Sequence, residues 1–350
     1  MGWSKIGSLL FGGMALLFMG CGPLGKPVDP AVSPSYFYGK AGRGVVYSSQ
    51  GNWLKLGHKP VEGADRETFQ PLGPSVAVDK HQVYFRHNPQ PHIDRETFEY
   101  VDRVMRDKDH VYVSRYREEL LAAVEGVDVA SFRYLFPEDV NPSMWARDAN
   151  RYYINHEPIA VDVESFEFLN YGFVADRYLI YRRDSNLRVV AAVTGPIEVV
   201  NRFHLRMGNQ ILSGGTWASR VLDFDEIHEL REVGEYVMVI NGEVYDRGTV
   251  VPGVDAASLE LWPDNRTYAR DAENVFFIFT KMVKIEGADR ESFAPMERVG
   301  SYARDANRVY YGFKVLEDAD LETFEVIPEN KRYDARDQHG YFRMGFRQRF

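Results

Sequence analysis

From Gly39 to the C-terminus the chain alternates short apolar runs with polar clusters. The runs are rich in Val, Tyr and Phe, as in Val275-Phe-Phe-Ile-Phe279 and Val309-Tyr-Tyr311. Branched and aromatic side chains in runs this short suit a pleated, packed surface and predict β-strands. Asp305-Ala-Asn307 and Asp107-Lys-Asp109 stand just ahead of such runs. Carboxylate and amide side chains there bond their own backbone in a tight turn, so each predicts a hairpin joining a Tyr-Ala-Arg strand to an aromatic one. Downstream, Gly-Ala-Asp-x-Glu-Ser/Thr-Phe sets an Asp where it accepts from free amides. This predicts a single helical turn that returns the Phe to the core.

The pattern repeats. Tyr268-Ala-Arg-Asp-Ala-Glu-Asn-Val275 leads to Asp289-Arg-Glu-Ser-Phe293, and Tyr302-Ala-Arg-Asp-Ala-Asn-Arg-Val309 leads to Asp320-Leu-Glu-Thr-Phe324. Further copies end at Phe69, Phe98, Phe132 and Phe166, which makes six. Between Phe173 and Trp262 only fragments match, such as Val254-Asp-Ala-Ala-Ser-Leu259. Phe166 to Leu259 nevertheless spans 93 residues, three periods of about 31. The expected fold is an all-β tandem repeat of about nine units, each a hairpin with one short helical turn, degenerate over 173–262. One such unit cannot bury its own apolar face, so neighbours must stack. An open stack is favoured because these units hold fewer strands than the four of a propeller blade. A closed β-propeller-like toroid is the alternative.

Asp107-Lys-Asp-His-Val-Tyr112 and Asp305-Ala-Asn-Arg-Val-Tyr-Tyr311 resemble the DKNYY repeat family of bacterial secreted and lipid-anchored proteins, whose units also carry Gly-Ala-Asp-x-x-Thr-Phe. Ala stands in place of the Lys at positions 149, 272 and 306. The resemblance implies a repeat architecture and brings no catalytic residues.

The N-terminus has a different pattern. Lys5 precedes an uncharged apolar stretch from Ile6 to Met19, which reads as a secretory signal and falls short of the roughly 20 residues of a membrane span. Phe18-Met-Gly-Cys21 looks like a bacterial lipobox, so residues 1–20 are expected to be a signal peptide and Cys21 the lipidated residue. The other reading is an uncleaved anchor or a buried helix with an incidental cysteine. Gly22 rather than Asp after the cysteine implies sorting to the outer membrane where the host has two. Residues 21–35, with Pro27, Pro30 and Pro34, are expected to form a tether, and 36–350 the repeat array.

The net charge of −9 disfavours a grip on nucleic acid, and a single cysteine excludes a disulfide framework or a multi-thiolate zinc site. Recurrence then sorts the candidate residues, because an active site is assembled once. Phe69, Phe98, Phe132, Phe166, Phe293 and Phe324 are expected to be core keystones. Asp148, Asp271, Asp305 and Asp337 are expected to be turn formers, with Arg147, Arg270, Arg304 and Arg336 beside them as a ladder of exposed ion pairs.

Singular features remain. His81, His87 and His92 are a weak metal candidate without a completing carboxylate or thiolate. His228-Glu229 lacks the second His of a zinc-protease helix, and Ser213-Gly-Gly-Thr-Trp217 lacks the Lys of a phosphate loop. No metal or cofactor is expected. Trp53, Trp145, Trp217 and Trp262 would serve a glycan-stacking surface if exposed. The expected function is a non-catalytic, lipid-anchored cell-envelope protein presenting a binding or scaffold surface, with the membrane reached through Cys21 and an envelope protein or glycan as partner. The alternatives are an envelope glycan-binding module and a hydrolase with His204 or His228 at a site within 173–262.

Overall fold

The structure, a computed structural model, describes residues 24–115, 118–135, 145–214, 218–296, 300–327 and 332–348. The expected signal peptide and Cys21 lie outside these residues. Among the described residues no helix is long and apolar enough to cross a membrane.

The described residues form ten four-stranded antiparallel sheets, each made of four consecutive strands in sequential order. The chain divides into two compact units, one ending at Val163 and the other beginning at Glu164. The first unit holds sheets one to four, at 24–60, 70–89, 99–123 and 133–159. The second holds sheets five to ten, at 167–192, 198–223, 230–250, 260–284, 294–315 and 325–347. Among the described residues no sheet closes on itself or takes a strand from the far end of the chain.

The all-β repeat is as expected, but the unit is larger and the count is ten rather than nine. Two short outer strands flank each expected hairpin. In the ninth sheet Ala294–Pro295 pairs with the Tyr302–Arg304 strand and Lys314–Val315 with the Val309–Tyr311 strand. At two residues each, these outer strands are too short to leave a periodic signal. Strand number therefore no longer separates this repeat from a propeller blade. The expected single helical turn is found. The Asp-to-Phe segment closes one hydrogen-bonded turn, with Phe293 N donating to Asp289 O at 2.9 Å, and it does not propagate into a helix. Helical segments among the described residues are confined to the loops of the first sheet, at Lys40–Gly42, Ser49–Gly51 and Trp53–Leu56. Within the expected tether, Leu24–Pro27 pairs with Tyr36–Gly39 as the edge strand of that sheet, and Ser33 and Ser35 are buried.

Successive side chains on a strand point to opposite faces, and inner sheets bury both. In the second sheet Ala77 and Tyr84 pack with Tyr36, Val45 and Phe69, whereas Val76, Val78, Val83 and Phe85 pack with Phe98, Met105 and Tyr112 of the third. In the ninth, Ala303 and Tyr310 join Tyr268 and Phe293, whereas Tyr302 and Val309 join Phe324, Ala335 and Phe342 of the tenth. This two-sided burial is why the strands read as continuous apolar runs rather than as alternation.

Each Phe keystone is buried, and Phe69, Phe98, Phe132, Phe293 and Phe324 lie between neighbouring sheets of one unit. Phe293, for instance, has ring contacts to Tyr268 at 5.4 Å and Tyr310 at 5.5 Å. Between Phe166 and Leu259 lie three sheets. There Ile197, packed against the core of sheets five and six, and the buried Ile227 hold the keystone spacing with aliphatic side chains.

Candidate functional site

A four-stranded meander has two rims. The turn between the second and third strands and the link to the next sheet lie on one, here called the inner rim. The turns joining strands one to two and three to four lie on the other, the outer rim. The recurring acids belong to the inner rim.

In the ninth sheet Asp305 Oδ1 accepts from the amides of Asn307 and Arg308 at 2.8 and 2.7 Å. Its Oδ2 accepts from the Tyr310 hydroxyl at 2.6 Å and from the Asp289 amide of the incoming link at 2.9 Å. Asp79, Asp107 and Asp148 repeat the set with Tyr84, Tyr112 and Tyr153 and with the amides of Asp65, Asp94 and Asp128. Where Phe replaces that Tyr, another donor substitutes: Asn274 Nδ2 on Asp271 at 3.3 Å, and Arg347 Nη2 on Asp337 at 2.6 Å.

The link has its own clasp. Asp289 Oδ2 accepts from the Ser292 hydroxyl, whose oxygen accepts from the Ala306 amide at 2.8 Å, while Arg290 Nε reaches back to Asp271 O at 3.1 Å. One link thus ties two sheets together, which explains both the Asp and the Ser/Thr of the motif. In two copies Lys80 and Lys108 add ion pairs to Asp65 and Asp94 at 2.6 and 3.1 Å.

Burial pushes the Asp305 carboxyl up, but the Tyr310 hydroxyl and three amides outweigh it and hold it below its ordinary value. For Asp337, Arg347 and the amides overcome burial and bring the value to about 2. The expected ladder of exposed Arg–Asp pairs is corrected. Asp148, Asp271, Asp305 and Asp337 are all buried, and Arg147, Arg270 and Arg336 bond elsewhere. Arg270 pairs across the sheet with Glu260 at 2.7 Å, Arg336 pairs with Glu325, and Arg147 donates to the Tyr152 hydroxyl at 3.1 Å. Within the expected DKNYY-like turn the acid faces inward, so the neighbouring Arg projects from the strand toward its cross-strand partner.

Sheets six and seven lack the acid, and Asn takes over its task. Asn241 Oδ1 accepts from the amides of His228 and Glu229 at 3.0 and 3.2 Å, and its Nδ2 donates to Glu226 O at 2.6 Å. Asn209 Nδ2 holds the same link at Asp225 O, 2.7 Å away.

On the outer rim of the second unit, sheets six to eight frame a groove of about 1110 Å³ whose lining includes Arg220, Glu235, Tyr236, Arg247, Arg266 and Phe279. The Tyr236 ring stacks on Phe203 at 4.3 Å, with the Arg247 guanidinium 4.0 Å from its centroid. Arg247 is fixed further by Asp246 Oδ1 at 2.6 Å and by the Phe279 carbonyl. Asp246 Oδ2 accepts from the Met282 amide at 2.7 Å, which joins sheets seven and eight. Burial pushes the Asp246 carboxyl up against the pull of Arg247. Arg266 is largely exposed, 3.7 Å from Glu235, and Arg220 is exposed at the groove wall. The groove offers guanidinium groups beside an aromatic floor, a surface suited to binding.

The DKNYY family model matches residues 43–184 and again 145–344, two overlapping stretches that together take in most of the chain. The chain belongs to the DKNYY family. No curated protein and no solved structure matches it. In this DKNYY protein the family's repeated Asp and Tyr are the two halves of the inner-rim clasp, and the Lys is its added ion pair.

The singular candidates are scattered over the DKNYY fold. His204 Nδ1 lies 3.0 Å from Asn201 Oδ1 and its Nε2 3.1 Å from Ser213 Oγ, so Ser, His and Asn stand in series. Ser213 and His204 are paired across adjacent strands and buried. Burial, with Arg247 assisting, pushes the imidazole down to about 4, which leaves it neutral and sealed from a substrate. His228 is exposed on the link ahead of sheet seven.

His92 Nε2 is bonded to Leu121 O at 2.9 Å, and His81 is exposed at the inner-rim turn formed by Asp79. Among the described residues no three His, Cys, Asp or Glu side chains gather as for a metal ion. Trp145 is fully buried, Trp262 packs on Phe293 at 5.4 Å, Trp53 begins the short helix of the first sheet, and Trp217 lies outside the described residues. The groove residues Tyr236 and Arg247 escaped the sequence reading. Their only signal is that they interrupt the period at an outer-rim turn.

Proposed function

We propose that the protein is a non-catalytic, lipid-anchored component of the bacterial cell envelope, held by Cys21, whose outer rim in the second unit presents a binding surface centred on the groove. The partner is an envelope protein or a glycan. One observation carries this reading. The recurring acids, hydroxyls and amides are consumed by clasps between sheets, whereas the groove residues Arg220, Arg266 and Phe279 are exposed with no comparable task in the fold. Residues kept exposed at a site where the repeat breaks its own pattern are the signature of a contact surface.

The surface is tested by placing a photocrosslinking amino acid at Phe279, and separately at Tyr178 on the inner rim, in intact cells. A discrete adduct at Phe279 and none at Tyr178 is expected, and equal labelling at both would overturn the assignment. The anchor is tested by metabolic labelling with a palmitate analogue, with incorporation expected in the natural chain and lost in Cys21→Ala.

A further inference from the structure

The outer-rim turns between the third and fourth strands of the last three sheets carry Phe279-Thr-Lys281, Gly312-Phe-Lys314 and Arg343-Met-Gly-Phe-Arg347. Phe279, Phe313 and Phe346 are 65, 45 and 71 % exposed, and Met344 is exposed beside them. The turns are seated one on the next. A Cβ on Gly312 would come within 3.2 Å of the Phe277 ring, and one on Gly345 within 2.7 Å of Tyr311, so each glycine lets its turn rest on the preceding sheet. Both also hold positive φ, at 62° and 75°. Gly345 N donates to the Tyr302 hydroxyl at 3.0 Å, and the Phe277 ring lies 6.2 Å from Phe279 and 6.3 Å from Phe313. The apolar tips are therefore a fixed row.

Cations interleave with them. Lys281, Lys314 and Arg343 are exposed, and none of the three turns contains an acid. Arg347 is already committed to Asp337 and Asp318. Two acids bonded at or beside these turns are already engaged: Asp334 accepts from the Tyr302 hydroxyl and the Met344 amide, and Asp246 from the Met282 amide and Arg247. In a chain of net charge −9 this row reverses the local sign.

We propose that the row docks on an anionic lipid surface, with Phe279, Phe313, Met344 and Phe346 entering the headgroup layer and Lys281, Lys314 and Arg343 set against lipid phosphates. The inference rests on the reading of the outer rim as the contact face and names a lipid surface as what this part of it meets. Apolar bodies flanked by cations fit an interface that is apolar below and anionic above. A protein partner fits less well, because two of the three cations are lysines, which the centres of protein interfaces disfavour.

The test uses the full chain with Cys21→Ala, which removes the sole thiol, and an environment-sensitive fluorophore on Thr280→Cys or, as control, Tyr178→Cys. Vesicles of phosphatidylcholine with about a quarter phosphatidylglycerol should blue-shift and brighten the Thr280 probe alone, and pure phosphatidylcholine should give little response. Adding Phe279→Ser, Phe313→Ser and Phe346→Ser should weaken vesicle binding about tenfold or more while the far-ultraviolet spectrum stays unchanged. An unresponsive Thr280 probe, an equal response at Tyr178 (binding through the N-terminal apolar stretch), or an unaltered affinity in the triple variant would overturn the proposal. So would exclusively protein adducts in cells from a photocrosslinker at Phe313, which is not part of the groove. Absence of palmitate labelling from the natural chain would refute the anchor and leave this result standing.

Discussion

The two rims of the second unit are built from the same strands and solve different problems. On the inner rim, Asp271, Asp305 and Asp337 are buried and fully bonded, and the links carry Asp255, Asp289 and Asp320 at matching positions. On the outer rim the turns differ from sheet to sheet and expose Phe279, Phe313 and Met344. The inner-rim clasps recur from sheet to sheet, whereas outer-rim ties such as Asp246 to the Met282 amide and the Gly345 amide to the Tyr302 hydroxyl differ at each junction.

The strongest way to break the contrast is to empty the inner side. Phe324→Ala removes a buried ring lying 5.5 Å from Tyr302 and 5.2 Å from Phe342, and should cost about 3–5 kcal/mol in urea unfolding. Asp305→Asn keeps an acceptor for the turn but puts donors against the Tyr310 hydroxyl and the Asp289 amide. A loss of about 2–4 kcal/mol is expected, and a thermal midpoint equal to that of the natural chain would show that the clasp contributes nothing.

Acid should act on the same groups together. The folded carboxyls of Asp79, Asp107, Asp148 and Asp305 lie below their ordinary value of 3.8, and that of Asp337 near 2. Their contribution is complete above the unfolded value and disappears as pH falls through the folded ones, so the midpoint should drop between about pH 4 and pH 2. The clasp tyrosines shift upward, for Tyr181 to about 12 through burial and its bond to Asp176. Stability should accordingly decline again as pH rises from 10 through the folded tyrosine values, which a pH series of melting curves would register. The smallest effect belongs to the outer rim. Arg220→Ala removes an exposed side chain at the groove wall and should change stability by less than about 0.5 kcal/mol, while reducing crosslinking at Phe279.

Sheets six and seven teach a related lesson. The motif disappears there while the clasp remains, because Asn241 and Asn209 hold the link between the two sheets from both sides and Ile227 fills the keystone position. The 93-residue interval from Phe166 to Leu259 made the three units within it readable, but no residue pattern named which Asn or Ile would serve, since amide and acid do the same work through different donors. The outer strands, such as Lys314–Val315, escaped reading because two residues carry no period. The Tyr236–Arg247 floor of the groove escaped because its partners Phe203 and Phe279 lie 33 residues before Tyr236 and 32 after Arg247.

By itself the sequence determined the β-strand runs, the repeat length, the buried Phe positions and the turn-forming acids, all of which depend on residues close together in the chain. Only the tertiary structure decided that each unit is a four-stranded sheet whose inner copies are buried on both faces, that the acids bind the incoming link instead of neighbouring arginines, and that Phe279, Phe313 and Met344 fall on one rim. Those outcomes depend on which groups stacking leaves without water. A carboxylate deprived of water must find donors wherever the adjoining sheet supplies them.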